Sequence, residues 1–185
     1  MNPAPRLMTT GEYMRTPETV LPQELVYGIL HVADAPLPRH QMMVAQLFRA
    51  LDHHVRRERL GRMWLAPLDI ILDAERALVL QPDLLFISNE RAWIVRDRVR
   101  GAPDLVIEVL SPEPRVGRVE DRLEAFARYG VEECWLIHQS EQAVTVLDLR
   151  TDGVTARRLH RRHDPIRSRV LPGFQLSLGD IIAFD

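Results

Sequence analysis

The chain contains no lysine; all 24 of its basic residues are arginine. Arginine keeps its proton at neutral pH, whereas a buried lysine can lose one. Any mechanism that needs a lysine is therefore closed to this protein. The bias itself reads as genome-wide base composition. One cysteine, Cys134, excludes an internal disulfide and suits a reducing cytoplasm. No apolar run approaches the roughly 20 residues of a membrane span. The opening "MNPAPRLMTT" carries no apolar core of a secretory signal. There is no Gly-rich phosphate loop, no GxSxG elbow and no dinucleotide fingerprint.

What is present is an ordinary globule. The 185 residues are 46% apolar and 27% charged, with a net charge of -2. With no repeat and no dividing linker, a single domain over residues 1–185 is expected. "TTGEYMRT" reads as a short helix, and "ELVYGILHVA" as two extended pieces turning at Gly28. A long helix follows, with Pro38 in its first turn and Met43, Leu47, Leu51 and Val55 at helical spacing. Gly61 is its expected stop. "RMWLAPLDIIL" and "ALVLQPDLLFIS" read as strands around a turn at Asp73–Arg76, with "PDLVIEVL" as a third strand. "GRVEDRLEAFARYG" is an amphipathic helix ended by Gly130, followed by strands "ECWLIHQ" and "AVTVLDLR". "VTARRLHRR" reads as an edge strand and "LPGFQLSLGDIIAFD" closes the chain. This order predicts an α/β (α+β) fold with a mixed sheet flanked by helices.

Glu108 interrupts the aliphatic run "LVIEVL", where an isolated charge is costly. It calls for an arginine partner, a metal or a wet cleft. Asp104 lies on the same strand face but about 13 Å away, at roughly 3.3 Å per residue, too far to share one ion. Asp83 also opens an aliphatic strand after a proline and is the natural partner from another strand. Two readings stay open here: a structural Glu108–arginine pair, and a hard divalent cation held by one or two carboxylates.

The stretches "ELVYGIL", "PLPRHQ", "APLDIIL", "QPDLLFIS", "GAPDLVIEVLSP", "RLEAFARYGVEECWLI" and "LPGFQLSL", in this order, resemble the Uma family of bacterial restriction-endonuclease-like proteins, within the PD-(D/E)XK nuclease superfamily. The resemblance runs from about Thr9 to the end of the chain. It implies a restriction-endonuclease-like core, DNA as the partner, Mg²⁺- or Mn²⁺-dependent phosphodiester cleavage, and a homodimer. It also implies Asp83, Glu108 and the Val109 carbonyl as metal ligands, with Glu24 as a further acid beside them. His40 matches a frequent histidine at the head of the long helix. The superfamily lysine position is Leu110 here, and the place of a substitute lysine on the next helix is Arg122. Tyr27 and His138 also depart from the usual family residues. As a cation Arg122 can stabilise phosphorane charge but is a poor base. A phosphate oxygen, Glu24 or a second metal-bound hydroxide is then the expected proton acceptor. The competing class is a nuclease-fold module without catalysis that binds DNA or protein.

"ARRLHRRHDPIRSR" supplies Arg157, Arg158, Arg161 and Arg162 as weak DNA-backbone candidates. The alternative is a solvated edge strand protected by its charges. His53 and His54 read as surface or boundary residues. His160 and His163 point to opposite strand faces, against a zinc site. Cys134 and the three tryptophans, Trp64, Trp93 and Trp135, read as packing residues.

Overall fold

The computed structural model describes residues 6–17, 19, 21–110 and 119–183. Helix α1 (Thr10–Tyr13) is fixed by a capping box in which Thr9 and Glu12 exchange hydrogen bonds. Strands β1 (Gln23–Val26) and β2 (Ile29–Val32) form the expected hairpin. Its two turn residues, Tyr27 and Gly28, have φ of 50° and 85°. Positive φ at both is what a two-residue turn needs to match strand twist.

Helix α2 (Pro38–Arg57) buries Met43, Val44, Leu47, Ala50, Leu51 and Val55 along one stripe. Gly61 is not its stop. The helix ends at Arg57, Arg59 takes a left-handed φ of 57°, and Leu60 N–H caps back to the Val55 carbonyl. Gly61 instead opens β3 (Gly61–Leu65), where a Cβ would lie 2.1 Å from the Ile87 carbonyl oxygen. Glycine is required there by a close strand approach.

Both long strands expected between residues 62 and 88 break at a proline. The first becomes β3 and β4 (Ile70–Asp73), separated at Pro67. The second becomes β5 (Leu78–Leu80) and β6 (Leu84–Ser88), separated at Pro82. Proline has no N–H for a central ladder. The halves fall in different sheets. With β7 (Val99–Arg100), one sheet has the order β2-β1-β5-β4-β7, all antiparallel except β4–β7.

The second sheet adds β8 (Leu105–Leu110), β9 (Glu133–His138), β10 (Ala143–Arg150) and β11 (Gly153–Arg161) in the order β11-β10-β9-β8-β6-β3. Only β8–β9 is parallel, and helix α3 (Val119–Tyr129) makes that crossover. The result is a mixed α+β fold with two mixed sheets where the sequence suggested one. The expected start of α3 at residues 117–118 and the "SP" that closes the β8 motif lie outside the described residues.

Period-two alternation sorts the core. Leu84, Phe86, Leu105 and Ile107 face α2 and the short closing helix α4 (Leu178–Ile182). Leu85, Ile87, Val106 and Leu136 face α3 and the five-stranded sheet. Strand β8 is therefore covered on both sides, which is why it reads as an almost unbroken aliphatic run. Cys134 and Trp135 are fully buried, and burial pushes the thiol up from its usual range. Trp93 anchors nothing: it sits on a one-turn 3-10 helix and is 67% exposed. His54 is likewise not at the surface. It is buried edge-on against Phe174 and hydrogen-bonded to the Pro172 carbonyl. Among the described residues no helix is long and apolar enough to cross a membrane.

Candidate active site

The proline breaks build the site. Gln81, Pro82 and Asp83 carry the chain from one sheet to the other, and Ala66–Pro67 makes the same passage beside them. Ala66 N–H donates to the Asp83 carbonyl at 3.0 Å, tying the two crossings together. The register pairs Leu84 with Ile107, so one step outward sets Asp83 opposite Glu108. Directly opposed residues have Cβ atoms about 4.5–5.5 Å apart.

The Asp83 side chain is fixed in turn. Its Oδ2 accepts the Val109 N–H at 2.7 Å and lies 3.2 Å from Nε2 of His40, the buried third residue of α2. In an extended strand the N–H and C=O of one residue share an edge. The Val109 carbonyl thus lies on the Asp83 side of β8. His40 Nδ1 is buried with no partner among the described residues.

Glu24 arrives from β1 and is 3% exposed. Its Oε1 accepts Gln81 N–H at 2.6 Å, and its Oε2 accepts Arg122 Nη1 at 2.5 Å. Arg122, from α3, also donates Nε and Nη2 to Glu108 Oε1 at 3.1 and 2.5 Å. Its guanidinium carbon lies 5.5 Å from the Phe126 ring centre, one turn further along the helix. One cation therefore bridges acids from both sheets. Glu24, His40, Asp83, Glu108, Val109 and Arg122 line one cavity of about 610 Å³.

Two carboxylates, Glu24 and Glu108, share one guanidinium, and Asp83 stands beside them with no arginine of its own among the described residues. Burial raises the Glu108 carboxyl to about 7; Arg122 opposes the rise, while Asp83 and Glu24 add to it. Burial alone would lower Arg122, but Glu108 and Glu24 overcome it and hold the guanidinium above its ordinary value. Among the described residues, Oδ1 of Asp83 and Oε2 of Glu108 enter no hydrogen bond. Two hard oxygens, with a backbone carbonyl on the same edge, suit Mg²⁺ or Mn²⁺. No group of three or more His, Cys, Asp or Glu side chains is arranged as a metal cage among the described residues. Mg²⁺ does not require one, since waters and phosphate oxygens fill its remaining positions.

The other candidates sit apart. Arg157, Arg158, Arg161 and Arg162 lie on or just beyond β11, three strands from β8, about 14 Å at 4.8 Å per strand. Arg158 is committed to both oxygens of Asp148 at 2.7 Å each, and Arg162 to Gln142. Asp104 has a structural task, accepting Ser88 N–H at 2.7 Å and joining β8 to β6. His160 is buried, and His163 is exposed beyond the strand end. The sequence reading missed Gln81, whose backbone N–H holds Glu24; its place between two prolonged aliphatic runs and next to Pro82 was the available signal. It also missed Asp69, which accepts from Tyr13, Gln81 and Arg98 and braces the same crossing.

A family model described as "Uma2: Putative restriction endonuclease" matches residues 11–179. A similar solved structure is that of a putative nuclease belonging to DUF820 from Anabaena variabilis. It is 20% identical, with a TM-score of 0.79, covering 95% of this chain and 98% of the other. That likeness establishes a shared fold. No curated protein matches the chain.

Proposed function

The chain belongs to the Uma2 family of putative restriction endonucleases, and from that premise we propose that it is a divalent-metal-dependent endonuclease hydrolysing phosphodiester bonds in DNA. The observation that carries the proposal is the clamp of Asp83 onto the Val109 N–H, which with the strand register sets two acids across from each other in the lining of one cavity. Asp83, Glu108 and the Val109 carbonyl would hold Mg²⁺ or Mn²⁺. Bound there, the ion would supply Lewis acidity at the phosphate and a more acidic water.

The remaining work falls to the chain's own residues. His40 orients the Asp83 carboxylate from behind, as outer partners of metal ligands do. Arg122 is a fixed cation beside the acids and stabilises charge that develops on the phosphate. It stays protonated throughout and takes no proton. Both oxygens of Glu24 are engaged, so its contribution is to hold Arg122 in place rather than to act as the base. With Arg122 and Glu24 set aside, a substrate phosphate oxygen or a second metal-bound hydroxide would take the proton.

The competing reading, a non-catalytic nuclease-fold module, draws on the Arg122–Glu108 pair. The cavity beside that pair favours the enzyme, because a purely structural ion pair has no use for an open space of this size. A homodimer in the cytoplasm, each copy a single domain, accompanies the proposal as what the family resemblance implies. Plasmid nicking with Mn²⁺ tests it. Wild type should nick, and Asp83→Ala and Glu108→Ala should not; wild-type nicking by Glu108→Ala would overturn the assignment.

A further inference from the structure

The cavity's own charge gives little hold on a DNA backbone. Of its described lining residues, only Arg122 is a cation, and that charge is already shared by Glu24 and Glu108. The arginines of β11 lie at the far edge of the six-stranded sheet. The described lining therefore sets Glu24, Asp83 and Glu108 against one cation. Attraction for the anionic strand is weak without the metal, and binding energy must come from elsewhere.

The walls supply that source. Val44, Leu65, Pro67, Leu110, Leu123 and Phe126 line the same 610 Å³ space. Leu65 is 39% exposed, so an apolar surface is offered at the opening. A cavity of this volume lies in the range that takes compact ligands, and a single nucleotide is of that size class. A base freed from its stack presents an apolar face to bury, and its phosphate is carried on the same unit.

We propose that the cavity receives an unstacked nucleotide, its base against the apolar wall and its phosphate at Asp83 and Glu108, so that the substrate is single-stranded or locally unpaired DNA. This rests on the nuclease reading of the site. It adds that the base, and not only the backbone charge, is recognised.

The test separates the two. Binding of the full-length protein to a short oligothymidylate is compared with binding to its fully abasic counterpart, which has the same phosphate charge, with Ca²⁺ present. The intact strand should bind about tenfold tighter or more, the scale of burying roughly 60 Å² of base face against an apolar wall; equal binding overturns the inference. Cleavage with Mn²⁺ is then compared on one sequence, unpaired and in duplex. Faster cutting of the unpaired strand supports the inference, and equal or faster cutting of the duplex overturns it. If nothing is cut, the nuclease reading fails, while the binding comparison still decides whether a base occupies the cavity.

Discussion

Arg122 holds together acids that the chain delivers from two sheets. Its own side chain is 13% exposed, and those of Glu24 and Glu108 are 4% and 16% exposed. Removing one member of a buried ion cluster leaves the others uncompensated. Arg122→Met should cost about 3–5 kcal/mol in urea unfolding at pH 8; a loss below about 1 kcal/mol would show the acids to be solvated. Glu108 gives a pH signature. Its folded pKa of about 7 lies above the ordinary value of 4.5. Its contribution to stability is therefore full below about 4.5 and lost as pH rises through about 7. A metal held by its carboxylate must displace the proton that is present below that pH. Calorimetric Mn²⁺ affinity should fall about tenfold per unit below pH 7, with near one proton released at pH 6 and little at pH 8. Asp83→Ala should abolish the binding heat. Affinity that is flat from pH 6 to 8 would remove Glu108 from the ligand set.

At the scale of elements, type was more legible than extent. The amphipathic stripes of α2 and α3 and the aliphatic run of β8 each lie within one segment, so their sequences announce them. The splitting of β3 from β4 and of β5 from β6 was marked by Pro67 and Pro82. Apolar alternation on either side of each proline is nevertheless the same in one sheet as in two. Gly61 carried a similar ambiguity: a glycine after a helix resembles a stop, and only the neighbouring strand reveals the close approach. Gly61→Ala should destabilise by about 1–3 kcal/mol or more, the scale of overpacking, because the obstacle is backbone rather than a movable side chain. Unchanged urea midpoints would mean that β3 and β6 can separate without cost.

For the whole molecule, the two sheets meet where the proline crossings lie side by side, and the site occupies that seam. The far margin is different. Among the described residues, β11 pairs only with β10 and carries the arginine run on the outer edge of its sheet. Charge on an open edge discourages pairing with other chains. Arg157→Ala combined with Arg161→Ala should leave the slope of log affinity against log salt for DNA unchanged. A slope shallower by about 2 would show that both arginines bind phosphates. The double variant should also be more prone to self-association, read by light scattering.

The sequence by itself determined the absence of a lysine, the positions of Asp83 and Glu108 on separate aliphatic runs, and the exclusion of Asp104 from a shared ion by strand spacing. These follow from composition and from local geometry, which act over a few residues. The tertiary structure alone decided that Arg122 would be claimed by both Glu24 and Glu108, that His40 would stand behind Asp83, and that an apolar cavity would open beside them. Those contacts join residues far apart in the chain. They are set by which sheet each strand enters, and nothing in a single segment's pattern records that choice.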